Sequence, residues 1–165
     1  MILGVIAYAI AIEEAAFHPD EPLSMAARLA LATGLALCSG WAMAVACDMP
    51  LVSPALFSAL AALALETDDA GAHAGEEGGR PWDAVIPTTE GYPQPLHALY
   101  HRRCLPVMEA LLAEQNLRIV NLYGSICVRY VGEPDLRRID PHLHSFINVN
   151  TPEEWERALA LLASL

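Results

Sequence analysis

A chain of 165 residues, 55% apolar and 18% charged, is too apolar for a disordered tail and long enough to bury one core without staples. Its nine basic residues are all arginines and face 20 carboxylates. The net charge of −11 leaves no basic face for nucleic acid, and the absence of lysine excludes any mechanism that needs this chain's own lysine.

Met1 to Ile12 is nearly all apolar and ends at Glu13-Glu14. It is too short to span a bilayer and lacks the basic start and cleavage site of a signal peptide. Leu29 to Cys47 is about nineteen residues without charge, long enough for a membrane span. Thr33-Gly34 and Ser39-Gly40 interrupt it, so it divides into an alanine-rich helix, Leu23 to Cys38, and a buried strand, Trp41 to Cys47. No membrane association is expected. Asp48-Met49-Pro50 turns the chain, and Ser53-Pro54 caps a helix that runs to about Leu65. Residues 66–81 are polar and glycine-rich and read as a mobile surface insertion.

Asp83 to Pro87 reads as a short strand, Gly91 to Pro95 as a turn, and Leu96 to Tyr100 as another strand. Leu105 to Ala113 has helical spacing. Leu117 to Leu122 fits a short helix or a strand, and Ile126 to Val131 is a strand. Ser145 to Asn148 reads as a strand ending. Thr151-Pro152-Glu153-Glu154 opens a last helix that runs to near Leu165. Strands alternating with helices predict one α/β domain over residues 1–165, doubly wound with a mostly parallel sheet. The four cysteines, at 38, 47, 104 and 127, form no C-x-x-C pair and sit among apolar neighbours. They read as reduced thiols of a cytoplasmic protein.

In such folds ligands sit beyond the carboxyl ends of the strands. Two polar groups stand there: Asp48 after the first apolar strand, and Asn148 with Asn150 after the last. A carboxylate at the mouth of a buried strand is hydrated, caps a turn, or holds a cation such as Mg²⁺. The asparagines serve turn chemistry before Thr151, or supply neutral oxygens to the same ion or to a substrate.

These residues carry a resemblance. Ala46 to Pro54 (ACDMPLVSP), then Asp83 to Pro87 with Gln94 to Tyr100 (QPLHALY), then Ser145 to Glu154 (SFINVNTPEE), resemble in order three motifs of the molybdenum cofactor guanylyltransferases. The resemblance covers residues 41–165 and implies transfer of GMP from GTP to molybdopterin, with release of pyrophosphate. It makes Asp48 the catalytic Mg²⁺ ligand, with Asn150 also on the metal and Asn148 helping to place metal or pterin phosphate. Gln94, Pro95, Leu96 and His97 would line the substrate side. The family opens with a strand, a glycine-rich loop containing arginine, and a lysine. Residues 1–24 lack that pattern, and Ser24 and Met25 replace the Ala and Gly usual after Pro22-Leu23. The chain therefore resembles a truncated or diverged member lacking part of the N-terminal unit, for which weak or no GTP transfer is expected. A related nucleotidyltransferase, such as one using CTP, and a non-enzymatic remnant that binds a partner are the alternatives. The oligomeric state is open, with a homo-oligomer among the possibilities.

Other features read more plainly. His97 and His101 are four apart but flank a strand–helix junction, and His142 and His144 lie in a loop, so zinc is not expected. Arg102-Arg103 reads as solvated surface. Arg118 reads as surface or as a phosphate contact. Trp41, Trp82 and Trp155 read as core or boundary packing.

Overall fold

The computed structural model describes residues 25–66, 81–115 and 118–164. Residues 1–24, read above as an atypical start, and all but the two ends of the 66–81 stretch, read as a mobile insertion, lie outside the described residues. The chain runs through α1 (Met25–Leu37), β1 (Trp41–Val45) and α2 (Pro54–Leu65), then β2 (Ala84–Thr89), β3 (Tyr92–Pro93) and β4 (His97–His101). It continues through α3 (Leu105–Ala113), α4 (Val120–Tyr123), β5 (Val128–Val131), α5 (Glu133–Leu136) and α6 (Pro152–Leu162).

Local chemistry accounts for the helix boundaries. The Ser53 hydroxyl accepts from the Leu56 N–H at 3.3 Å and Pro54 occupies the first turn of α2. Thr151 and Glu154 form a reciprocal capping box at the start of α6.

The α/β class and the open sheet match expectation; the strand directions are mixed. The sheet runs β1-β4-β2-β3, with β5 also beside β2. The β2–β5 pair is parallel, while β1–β4, β2–β4 and β2–β3 are antiparallel. The short connection from β2 to β4 explains this, because a parallel return needs a crossover of about a dozen residues or more. The stretch read as a plain turn holds a hairpin instead. Thr89 pairs with Tyr92 across Glu90 (φ 53°) and Gly91 (φ 84°), both in the left-handed region that a two-residue hairpin turn demands.

Helices cover both faces of the sheet. Ala84, Ile86, Ala98 and Tyr100 pack with Leu31 and Leu35 of α1 and Met108 of α3. Val85 and Leu99, pointing the other way, pack with Leu56, Phe57 and Leu60 of α2 and with Leu136. β4 lies between two neighbours and is covered on both faces, which explains its nearly continuous apolar run. No helix among the described residues is long and apolar enough to cross a membrane. Cys38, Cys104 and Cys127 are buried and Cys47 is exposed.

Two further expectations change. Residues 145–148 are not a strand: His144–Phe146 form a 3-10 turn, after which the chain runs extended outside the sheet. Arg103 is not simply solvated surface. Its Nε donates to Asp83 at 2.7 Å and its Nη2 to the Trp82 carbonyl at 2.6 Å. The buried Asp83 also accepts from the Cys127 N–H at 3.0 Å, so the pair ties the starts of β2 and β5 to the end of β4.

Candidate functional site

β1 ends early, at Val45, because the Met49 N–H turns back to the Ala46 carbonyl at 3.3 Å. This turn presents Asp48 at the rim of the sheet. The Val149 N–H donates to the Asp48 carbonyl at 2.8 Å, bringing the Phe146–Asn150 stretch alongside. The two motifs, far apart in sequence, therefore share one place. Asp48 Oδ1 and Asn148 Oδ1 are both buried with no hydrogen-bond partner. Burial pushes the Asp48 carboxyl above its ordinary 3.8, against the opposing pull of a backbone hydrogen bond. A pair of acceptor oxygens left unpaired under cover is costly unless a donor or cation meets them.

Asn148 also lines a cleft of about 280 Å³ with Thr89, Gln94, Glu133, Arg137 and Phe146. Gln94 Nε2 donates to Thr89 Oγ1 at 2.6 Å, which fixes one wall. The opposite wall is tied to the hairpin by Glu133, which accepts from the Glu90 N–H at 3.1 Å and from Arg137 Nε at 2.8 Å. These hydrogen bonds, the one from Glu90 first, hold the Glu133 carboxyl below its usual value. Arg137 also donates to the Pro141 carbonyl at 2.8 Å.

A second network, missed in the sequence, anchors the Asn148 stretch. Asp140 Oδ2 accepts from the Ser145 N–H at 2.8 Å and Oδ1 from the His144 N–H at 3.1 Å. Burial pushes the Asp140 carboxyl up, but the bonds from Ser145 and His144 outweigh it and hold the group below 3.8. The Ser145 hydroxyl in turn accepts from the Ser53 N–H at 3.2 Å, joining the stretch to the cap of α2. Leu143, at φ 53°, takes the left-handed conformation just before this turn. The Asp140-Pro141 dipeptide was the available signal, since such pairs favour turns.

The residues expected on the substrate side divide. Gln94 lines the cleft; Pro95 and His97 are fully buried and Leu96 packs against the core. The Tyr100 hydroxyl donates to the Pro95 carbonyl at 3.0 Å. His97 is corrected from a lining residue to one beneath the site. Its ring stacks on Phe57 and lies against Phe146, each at 4.6 Å between centroids. Neither ring nitrogen has a partner. Burial lowers the imidazole to about 4, Asp140 pulling the other way. The cause is the central place of β4, which leaves its side chains no solvent face.

Asn150 is exposed, and its backbone N–H donates to Glu154 at 2.8 Å as part of the α6 cap. Of the two asparagines, Asn148 is the one whose amide oxygen is buried and unpaired. The ring of His142 stacks on that of His144 at 5.2 Å, and the His101 Nδ1 accepts from the Arg103 N–H at 3.1 Å. Trp155 departs from its expected packing role and is half exposed on α6, whereas Trp82 is buried.

Comparison with known proteins places this geometry. A solved structure of molybdopterin-guanine dinucleotide biosynthesis protein A from Archaeoglobus fulgidus superposes with a TM-score of 0.64 at 28% identity, covering 84% of this chain and 63% of that one. The molybdenum cofactor guanylyltransferase of Desulfosudis oleivorans is 42% identical over 80 residues, which are 48% of this chain and 40% of the relative. A probable molybdenum cofactor guanylyltransferase of Natranaerobius thermophilus is 32% identical over 111 residues, 67% of this chain and 48% of the relative. The chain thus spans about half the length, or less, of these two curated relatives. The family model described as the MobA-like NTP transferase domain matches residues 9–123, well over half of the sequence. The C-terminal stretch with Asn148 lies beyond that match. The chain belongs to the MobA-like NTP transferase domain family.

Proposed function

We propose that this chain serves the guanylyl transfer of molybdenum cofactor biosynthesis, with GTP as donor and molybdopterin as acceptor. An oxygen of the molybdopterin phosphate attacks the α-phosphorus of GTP. The α–β bridging bond breaks and pyrophosphate leaves. The observation that carries the reading is the pair of buried, unpaired oxygens on Asp48 and Asn148 at one sheet rim. Such hard acceptor oxygens fit Mg²⁺, which takes one or two carboxylates and fills its remaining positions with water and phosphate. Mg²⁺, when bound, supplies charge neutralisation for the phosphates. Asp48 would be its main ligand, Asn148 has the stronger structural support as second oxygen, and Asn150 stands at the exposed edge. Gln94 and Asn148 offer amide groups to an acceptor seated in the cleft beside them.

The cleft also supports the expectation of weak transfer by this chain alone. Arg137 is the one cation lining it among the described residues, and it is already engaged by Glu133 and Pro141. A triphosphate needs more positive charge than that. The buried thiols suit a cytoplasmic setting.

The test uses Mn²⁺ as a spin probe for Mg²⁺. Wild-type protein should bind one Mn²⁺, and Asp48→Asn should weaken binding at least about tenfold while leaving the circular dichroism unchanged. Equal Mn²⁺ affinity in the two proteins would remove the basis of the reading. Titration with GTP–Mg²⁺ should give no micromolar binding; micromolar affinity would overturn the expectation of weak transfer.

A further inference from the structure

We infer, on the reading of Asp48 and Asn148 as the Mg²⁺ oxygens, that Asp140 is a positioning residue of that site: it fixes where Asn148 stands relative to Asp48 without touching the ion. Asn148 lies on a stretch that belongs to no helix or strand. Its amide oxygen stays beside the Asp48 oxygen only if that stretch is held by its surroundings, because a binding group is only as well placed as the shell behind it.

The holding points lie on both sides of Asn148. Before it, the Ser145 N–H donates to Asp140 Oδ2 at 2.8 Å and the His144 N–H to Oδ1 at 3.1 Å. The Ser145 hydroxyl accepts from the Ser53 N–H at 3.2 Å, and the Phe146 ring rests on His97 at 4.6 Å between centroids. After it, the Val149 N–H donates to the Asp48 carbonyl at 2.8 Å. The stretch is therefore tied at Ser145 and at Val149 to the loop that carries Asp48, and Asn148 stands between the two ties. Asn150 lies beyond the second tie, and its N–H goes to Glu154 instead.

Asp140 is the base of this arrangement. Its own N–H donates to the Leu136 carbonyl at 2.9 Å, and Leu136 is fully buried in the core with Val85 and Leu99. The anchor is thus fixed to the sheet. The Asp140 side chain is buried, with the residue 8% exposed, and each of its two oxygens takes one N–H. An asparagine of the same size offers one acceptor oxygen and would turn an NH₂ group towards the other N–H. Burying a charge is costly, and a turn alone is served as well by an uncharged side chain. Two acceptors on one rigid group are what a clamp on two successive N–H groups requires.

Mn²⁺ affinity, read by electron paramagnetic resonance, and amide hydrogen exchange, read by NMR, test this on the full chain. Asp140→Asn keeps the size and removes one acceptor, and should weaken Mn²⁺ binding about tenfold. In an Asn148→Ala background the same substitution should change the affinity by less than about twofold, because Asp140 acts through Asn148. Ser145→Ala deletes only the tie to Ser53 and should also weaken Mn²⁺ binding, which keeps the test open if Asp140→Asn folds poorly. In Asp140→Asn the Val149 amide should exchange faster than in wild type by a larger factor than the Val85 and Leu99 amides of the core. Wild-type Mn²⁺ affinity in Asp140→Asn would overturn the proposal. So would an equal loss with and without Asn148, the mark of a lost charge acting through space, or equal acceleration at Val149 and in the core, the mark of a purely structural role. Wild-type Mn²⁺ affinity in Asp48→Asn would instead sink the cation reading, while faster Val149 exchange would still mark Asp140 as the tether.

Discussion

Replacing His97 by leucine isolates one group in the acid stability of this fold. The imidazole is fully buried between Phe57 and Phe146, with both nitrogens unpaired. Its folded-state value is lowered from 6.5 to about 4 by burial. A lowered value means that the unfolded chain binds the proton first. The stability is therefore whole above pH 6.5 and is lost as pH falls from 6.5 towards 4. At about 1.4 kcal/mol per pH unit, the full loss is about 3 kcal/mol, of which about 2 kcal/mol is gone by pH 5. At pH 7 the leucine gives up two aromatic contacts worth about 0.5–1.5 kcal/mol each, and it removes unpaired polar atoms that cost a similar amount. The two proteins should therefore unfold within about 1 kcal/mol of each other at pH 7. By pH 5 the leucine variant should lead by about 2 kcal/mol, or roughly 1 M in urea midpoint. Urea unfolding followed by fluorescence at pH 7, 6 and 5 measures this. Stability curves that run parallel for the two proteins would show that His97 does not carry the acid loss.

Asp140→Ala leaves the Ser145 and His144 N–H groups without their acceptor and should cost about 2–5 kcal/mol in urea unfolding at pH 7. Because the Asp140 carboxyl lies below its ordinary 3.8 in the folded state, its contribution is present above that value. The gap between variant and wild type should close as pH falls below 3.8. Asp83→Ala removes the acceptor of the buried Cys127 N–H and one partner of the half-exposed Arg103, and should cost about 1–3 kcal/mol, read as a lower thermal midpoint. Thr151→Ala removes half of the capping box on α6 and should cost about 1 kcal/mol, lowering the midpoint by roughly 2–4 °C.

What could be read from the sequence was what local chemistry decides. Ser53-Pro54 and Thr151-Pro152-Glu153-Glu154 specify their own helix starts, and both caps form as their residue types dictate. The β-hairpin was harder, because Glu90 takes the place where asparagine or aspartate usually announces the turn. Its left-handed backbone is supported by Glu133, more than forty positions away in the chain. Phe146 and Ile147 suit a strand, yet bonds from the His144 and Ser145 N–H groups to Asp140, and from the distant Ser53 N–H to the Ser145 hydroxyl, hold residues 144–146 in a 3-10 turn. Asn148 and Asn150 are two apart and look equivalent in one dimension; burial and the cap on Glu154 separate them. His97 follows the same rule. Its place at a strand end is visible in sequence, but its sandwich between two phenylalanines from distant elements is not.

The bond from the Val149 N–H to the Asp48 carbonyl closes a loop of 149 − 48 = 101 residues. At about 5–20 residues per second, the ribosome takes roughly 5–20 s to make the second partner after the first. Throughout that interval the aspartate turn exists without the extended stretch that later lies alongside it. The buried surroundings of Asp48 are therefore completed late in the birth of the molecule, once Val149 has joined the folded body.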